Sequence, residues 1–138
     1  MKTISKTRLP ASLDNLGQFT LAVSDAAKEC GFSDEKVNDA ELVTEEAVVN
    51  IIKHAYKFKQ GDIEIICKAD DSGRLIVEIE DTGVGFDVSS AQAPDIDADI
   101  ESRPIGGLGI FFMKSLTENL NYTRMDTKNI LRFVISVS

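Results

Sequence analysis

The stretch Glu46–Tyr56, EAVVNIIKHAY, places a carboxylate and a carboxamide four residues apart inside a run that is otherwise largely apolar. On a helix, residues i and i+4 share a face, so Glu46 and Asn50 are expected to project together, with Lys53 and His54 one turn further on. Ala47, Val48, Val49, Ile51 and Ile52 would then bury most of the remaining surface. The rest of the chain therefore has to supply a layer that covers this helix. The polar pair either points at water or meets a partner, and the stretch alone leaves both open.

The flanking sequence supplies such a layer. Residues 3–9 alternate and stop at Pro10, which suits a short first strand at a sheet edge. Ser12 can cap a helix whose apolar positions Leu13, Leu16, Phe19, Val23, Ala26 and Cys30 step by three or four, with Gly31 as the stop. Ser33, followed by Asp34 and Glu35 in the first turn, starts a second helix through Val37, Ala40, Val43, Ala47 and Ile51 to about Tyr56. Ile63–Ala69 and Arg74–Glu80 read as a hairpin around Asp70-Asp71-Ser72-Gly73, and a second hairpin joins Asn121–Met125 to Ile130–Val137. Gly106-Gly107-Leu108-Gly109 opens a third helix with Ile110, Phe111, Met113, Leu116 and Leu120 on its apolar side. The expected fold is an α/β (α+β) two-layer sandwich, a mostly antiparallel sheet covered on one face by three helices, in a single domain over residues 1–138.

Composition narrows the functions open to such a domain. A net charge of −8 argues against a nucleic-acid partner, because phosphate backbones are bound by clustered Lys and Arg. No apolar run reaches membrane-span length, and MKTISKTRLP has positive charge with no apolar core behind it, so no signal peptide, no membrane partner and a cytoplasmic location are expected. Cys30 and Cys67 lack a CxxC spacing and read as reduced core thiols.

Three places could carry chemistry. The second strand of the first hairpin runs into Asp81-Thr82-Gly83-Val84-Gly85, an acid followed by two glycines that tolerate positive φ and allow close approach to the backbone. A plain turn would look the same. Gly106, Gly107 and Gly109 at a helix start would expose N–H groups to a phosphate, or would simply allow tight packing. Between them, Asp87–Ile105 has little periodicity and two prolines, as functional or disordered loops do. Asp95, Asp97 and Asp99 mimic the opening of an EF-hand, but Ile100 and Gly106 occupy the positions that need Gly and Glu.

In order and spacing, ExxxN on a helix, DxGxG after a strand and GGLG before a helix resemble the N, G1 and G2 boxes of the GHKL (Bergerat-fold) ATPase superfamily. Within it the chain looks most like the small anti-sigma-factor serine/threonine kinases of the RsbW type. The resemblance implies ATP and Mg²⁺ as cofactors, with Asn50 as the metal ligand and Glu46 as general base or orienting group for a substrate serine. It further implies Asp81 as acceptor for the adenine amine, Gly83 and Gly85 shaping the pocket, and Gly106, Gly107, Leu108 and Gly109 holding phosphates beneath a lid at about 87–105. Lys53 and Arg103 are candidate phosphate contacts. His54, the only histidine, reads as structural. Thr127-Lys128-Asn129 stands where many relatives carry a Gly-Thr pair, which leaves adenine contacts there open. Implied partners are an anti-sigma-factor antagonist as substrate, a sigma factor or other regulated protein, and a second copy of the chain. A nucleotide-dependent binding module without kinase activity is the alternative.

Overall fold

The N-terminal alternation forms β1, Lys2–Pro10, which ends at a residue with no N–H to give to a ladder. In this computed structural model residues 1–56, 59–85 and 113–136 are described. Ser12 does act as a cap, its Oγ accepting from Asp14 N–H at 3.2 Å, but the capped turn is a short 3-10 turn, Leu13–Asn15, ahead of α1, Leu16–Glu29. Leu13 consequently lies outside the α-helical stripe and is 59% exposed, unlike the core position expected of it. Gly31, at φ 81°, turns the chain out of α1 as a left-handed C-terminal cap.

Ser33 caps α2, Asp34–Asn50, through a bond from Lys36 N–H at 3.3 Å. The apolar spacing predicts a regular helix to about Tyr56. It stops at Asn50, and Ile51–Ala55 form one wide π turn closed by Tyr56 N–H donating to the Ile51 carbonyl at 3.1 Å. Wide turns of this kind occur mostly as single-turn bulges in α-helices and are frequent at functional sites. Lys53 and His54 therefore do not stack above Asn50 as they would on a regular helix. Lys53 is exposed and His54 half-buried.

Strands β2, Asp62–Ala69, and β3, Leu75–Asp81, make the first hairpin; β4, Glu118–Met125, and β5, Lys128–Ile135, make the last. The five strands are ordered β1-β2-β3-β5-β4, with antiparallel neighbours throughout. This bears out the edge position of β1 and the α+β class. Alternation sends Ile63, Ile65 and Cys67, Leu75, Val77 and Ile79, and Leu131, Phe133 and Ile135 to one face. There they meet Phe19 and Val23 of α1 and Val43 and Ala47 of α2 in a continuous core. Of the expected third helix, 113–116 is helical and buries Met113; its glycine-rich start lies outside the described residues. Both cysteines are free thiols, and burial pushes Cys67 up to about 11, so it stays protonated.

Candidate functional site

Sheet register assembles half of the site. Asp81, the last residue of β3, is the cross-strand partner of Asn129 on β5, and Asn129 is the partner of Arg124 on β4. Cross-strand partners share a face, so the three side chains stand in a row on the helix-facing side, with Tyr122 two residues along the same strand face. Asn129 is 3% exposed and fully engaged. Its Nδ2 donates to Asp81 Oδ1 at 2.7 Å and to the carbonyls of Gly83 and Val84 at 3.1 and 3.2 Å. Its Oδ1 accepts from Tyr122 Oη at 2.5 Å and Arg124 Nη1 at 2.6 Å. Asp81 Oδ1 also accepts from Gly83 N–H at 2.9 Å, and Arg124 Nη1 donates to the Gly83 carbonyl at 3.1 Å.

The end of α2 supplies the other half. A small cavity is walled by Ala47, Asn50, Ile51 and Ala55 on one side and by Asp81, Val84, Tyr122 and Asn129 on the other. The two sides are tied directly. Val84 N–H donates to the Ala55 carbonyl at 2.8 Å, Thr82 N–H donates to Tyr56 Oη at 2.8 Å, and Tyr56 Oη donates to the Asp62 carbonyl at 2.6 Å. The π turn is thus held from outside the helix by the loop after β3. Tyr56→Phe should cost about 1–3 kcal/mol by stripping a part-buried N–H and a carbonyl of their partner, read as a lower urea midpoint.

Gly83 has neither a left-handed φ nor a turn that demands one. It is a glycine because its backbone lies against the π turn: a Cβ there would sit 2.2 Å from the Ala55 carbonyl oxygen. Gly85 is likewise without positive φ, and a Cβ on it would meet Arg124 Cδ and Tyr122 Oη at 3.3 Å. Close approach, not backbone freedom, is what these two positions require.

Two side chains stand out electrostatically. Asn50 is 2% exposed, yet its Nδ2 is buried with no hydrogen-bond partner. That nitrogen is a buried polar atom left for a group entering the cavity to meet. Asp81 is buried, and desolvation raises its carboxyl above the ordinary value against the opposing bonds from Asn129 and Gly83 and the charges of Arg124 and Lys59. Glu46 is half-buried and also raised, first by desolvation and then by Glu45, with Lys53 pulling the other way.

The structure therefore brings Asn50 and Asp81 onto one cavity, with Gly83 and Gly85 flanking Val84 in the loop that walls it. Glu46, one turn before Asn50, does not line that cavity. Arg103, Gly106, Gly107, Leu108 and Gly109, and the lid at about 87–105, lie outside the described residues. Sequence reasoning missed Tyr122 and Arg124 and left Asn129 open. A signal existed: β5 opens with a polar residue on the face that continues as Leu131, Phe133 and Ile135. Among the described residues no three His, Cys, Asp or Glu side chains cluster as a metal site, and no helix is long and apolar enough to cross a membrane.

A family model described as a histidine kinase-like ATPase domain matches residues 9–135. Serine-protein kinase RsbW of Bacillus cereus (strain G9842) is 28% identical over 128 residues, 90% of this chain and 79% of that protein. The protein of the same name from Bacillus anthracis (strain CDC 684 / NRRL 3495) is 27% identical over the same shares. Among solved structures, the histidine kinase domain of the Erythrobacter litoralis EL346 blue-light activated histidine kinase superposes with a TM-score of 0.56 at 20% identity, over 88% of this chain and 61% of that one. Acinetobacter baumannii histidine kinase AdeS gives 0.52 at 16% identity, over 97% and 69%. The chain thus spans about three-fifths of the first structure's length, and both likenesses concern the fold.

Proposed function

Since the chain belongs to the family of histidine kinase-like ATPase domains, we propose that this cavity takes the adenine end of ATP and that the protein is a serine/threonine kinase and anti-sigma factor. Its substrate is a serine of an anti-sigma-factor antagonist; its other partner is a sigma factor or similar regulator, in a cytoplasmic partner-switching system that uses a homodimer. The observation that carries the reading is the meeting of Asn50 and Asp81 on one cavity, the first with an unpartnered buried amide and the second a buried carboxylate. The serine specificity draws support from the names of the similar kinases.

Asp81 accepts a hydrogen bond from the adenine amine, and the backbone of Gly83 and Gly85 lets the loop close on the base. Asn50 would hold Mg²⁺, a cation commonly held by few protein oxygens plus phosphates and water, through its side-chain oxygen. When bound, that ion neutralises charge between the phosphates. Gly106, Gly107, Leu108 and Gly109 offer backbone N–H groups to the phosphates, with Lys53 and Arg103 as side-chain contacts and 87–105 as lid. Glu46 takes or orients the proton of the substrate serine; its raised pKa makes it a stronger base than an ordinary carboxylate.

The test mixes γ-labelled ATP, Mg²⁺ and purified anti-sigma-factor antagonists with the wild type or Glu46→Gln. Label should pass to the antagonist, at least about a hundredfold more slowly with the variant, while ATP binding persists. Equal rates would remove Glu46 from the chemistry. A second reading, a nucleotide-dependent binding module without transfer, gives ATP binding and no labelled antagonist.

A further inference from the structure

Asp81 Oδ1 is saturated by Gly83 N–H and Asn129 Nδ2, while Oδ2 accepts no hydrogen bond from the described residues. Among the described residues, Oδ2 is thus the carboxylate oxygen without a donor. The direction of the Asn129 amide is not arbitrary. Nδ2 faces three acceptors and Oδ1 faces two donors, Tyr122 Oη and Arg124 Nη1. A flip would set an oxygen against three oxygens and an amine against the Arg124 guanidinium, which can only donate, while the Tyr122 hydroxyl could serve either way; Arg124 and the three acceptors therefore lock the donor side of Asn129 onto Asp81.

We propose that Asn129, oriented by Tyr122 and Arg124, is a specificity-positioning residue: it holds Asp81 as a pure hydrogen-bond acceptor, so that the cavity takes a purine with an amino group at C6 and rejects one with a carbonyl there. This deepens the ATP reading and rests on it. A neutral carboxyl could rotate its O–H outward and donate to a C6 carbonyl. A carboxylate bonded by Asn129 and facing Arg124 cannot. Burial alone favours the neutral form of Asp81, and Asn129, Gly83 N–H, Arg124 and Lys59 are the groups that oppose it. The discrimination therefore belongs to the row across β3, β5 and β4 as a unit, not to Asp81 alone. Asn129 itself has no free donor or acceptor for the base, and so acts through Asp81.

The experiment measures binding of ATP and of ITP, which carries oxygen in place of the C6 amine, to the wild type, Asn129→Asp and Arg124→Met. Asn129→Asp keeps an acceptor for Tyr122 and Arg124 but replaces the donor to Asp81 by an oxygen. Arg124→Met changes an exposed residue and removes the cation, so the test does not depend on the buried variant folding. The wild type should prefer ATP strongly. The ATP-to-ITP affinity ratio should fall by roughly tenfold or more in Asn129→Asp and severalfold in Arg124→Met, through better ITP binding as well as weaker ATP binding. A structural role alone would weaken both nucleotides in parallel. An unchanged ratio in folded variants that still bind ATP overturns the proposal and leaves the ATP reading standing. A wild type that binds neither nucleotide overturns both.

Discussion

Gly83→Ala should be among the most damaging single methyl additions the chain can receive. The new Cβ would lie 2.2 Å from the carbonyl oxygen of Ala55, 2.5 Å from its carbonyl carbon and 2.8 Å from its Cβ. Two of those atoms are backbone and belong to a π turn tied to the same loop by the bond from Val84 N–H to Ala55, so neither side can yield as a flexible side chain would. Separating the segments breaks that bond and draws Gly83 and Val84 away from Asn129 and Arg124, whose bonds to their carbonyls hold the loop against β5 and β4. Overpacking of a closed site ordinarily costs about 1–3 kcal/mol, and the lost bonds place this variant at about 3 kcal/mol or more. A urea titration should show the midpoint falling sharply. A change under about 1 kcal/mol would mean that the loop and the π turn are not rigidly opposed.

Asp81→Asn should do the opposite to stability and abolish the site. An amide oxygen can take the place of Oδ1 and keep the bonds from Gly83 N–H and Asn129 Nδ2, so the fold loses no partner. It also removes a desolvated charge. Burial, the largest influence on Asp81, raises its pKa on folding. A carboxyl with a raised folded-state pKa binds its proton more tightly when folded. The stability this gives is fully present below the unfolded value near ~3.9 and is lost as pH rises through the folded pKa. Asparagine has no such loss. The variant should therefore melt above the wild type at neutral pH, and the difference should shrink toward about pH 4. Its new Nδ2 would confront the adenine amine donor to donor, so ATP affinity should drop by at least about a hundredfold. A variant that melts lower at pH 7 would show that the ionised carboxylate is worth more to the fold than its burial costs.

Local signals in the sequence carried most of the fold. Ser12 and Ser33 as caps, Gly31 as a stop, and the alternation of β2, β3 and β5 depend on nearest neighbours along the chain, and each appears where such signals place it. The π turn at Ile51–Ala55 was not legible, because it depends on where the Ala55 carbonyl and the Tyr56 hydroxyl find partners, and those partners are Val84, Asp62 and Thr82 in later strands and loops. The same holds for the row of Asp81, Asn129 and Arg124. Each residue is ordinary in its own segment, and only the pairing register of β3, β5 and β4 makes them neighbours. Glu46 and Asn50 show the limit in the other direction. Their spacing placed both on α2, but not which of them would line a cavity, and of the two it is Asn50 that does.

The most direct test of the nucleotide site is calorimetric titration of ATP with Mg²⁺ into the wild type and Asn50→Ala. Asn50 is buried and its amide nitrogen has no partner, so truncating it removes no bond from that nitrogen and any loss of binding belongs to the cavity. We expect saturable binding to the wild type, weakened by about tenfold or more in Asn50→Ala when Mg²⁺ is present, with the two proteins drawing together when it is withheld. Equal affinity of both proteins for ATP with Mg²⁺, or no binding to the wild type at millimolar nucleotide, would contradict the assignment of this cavity.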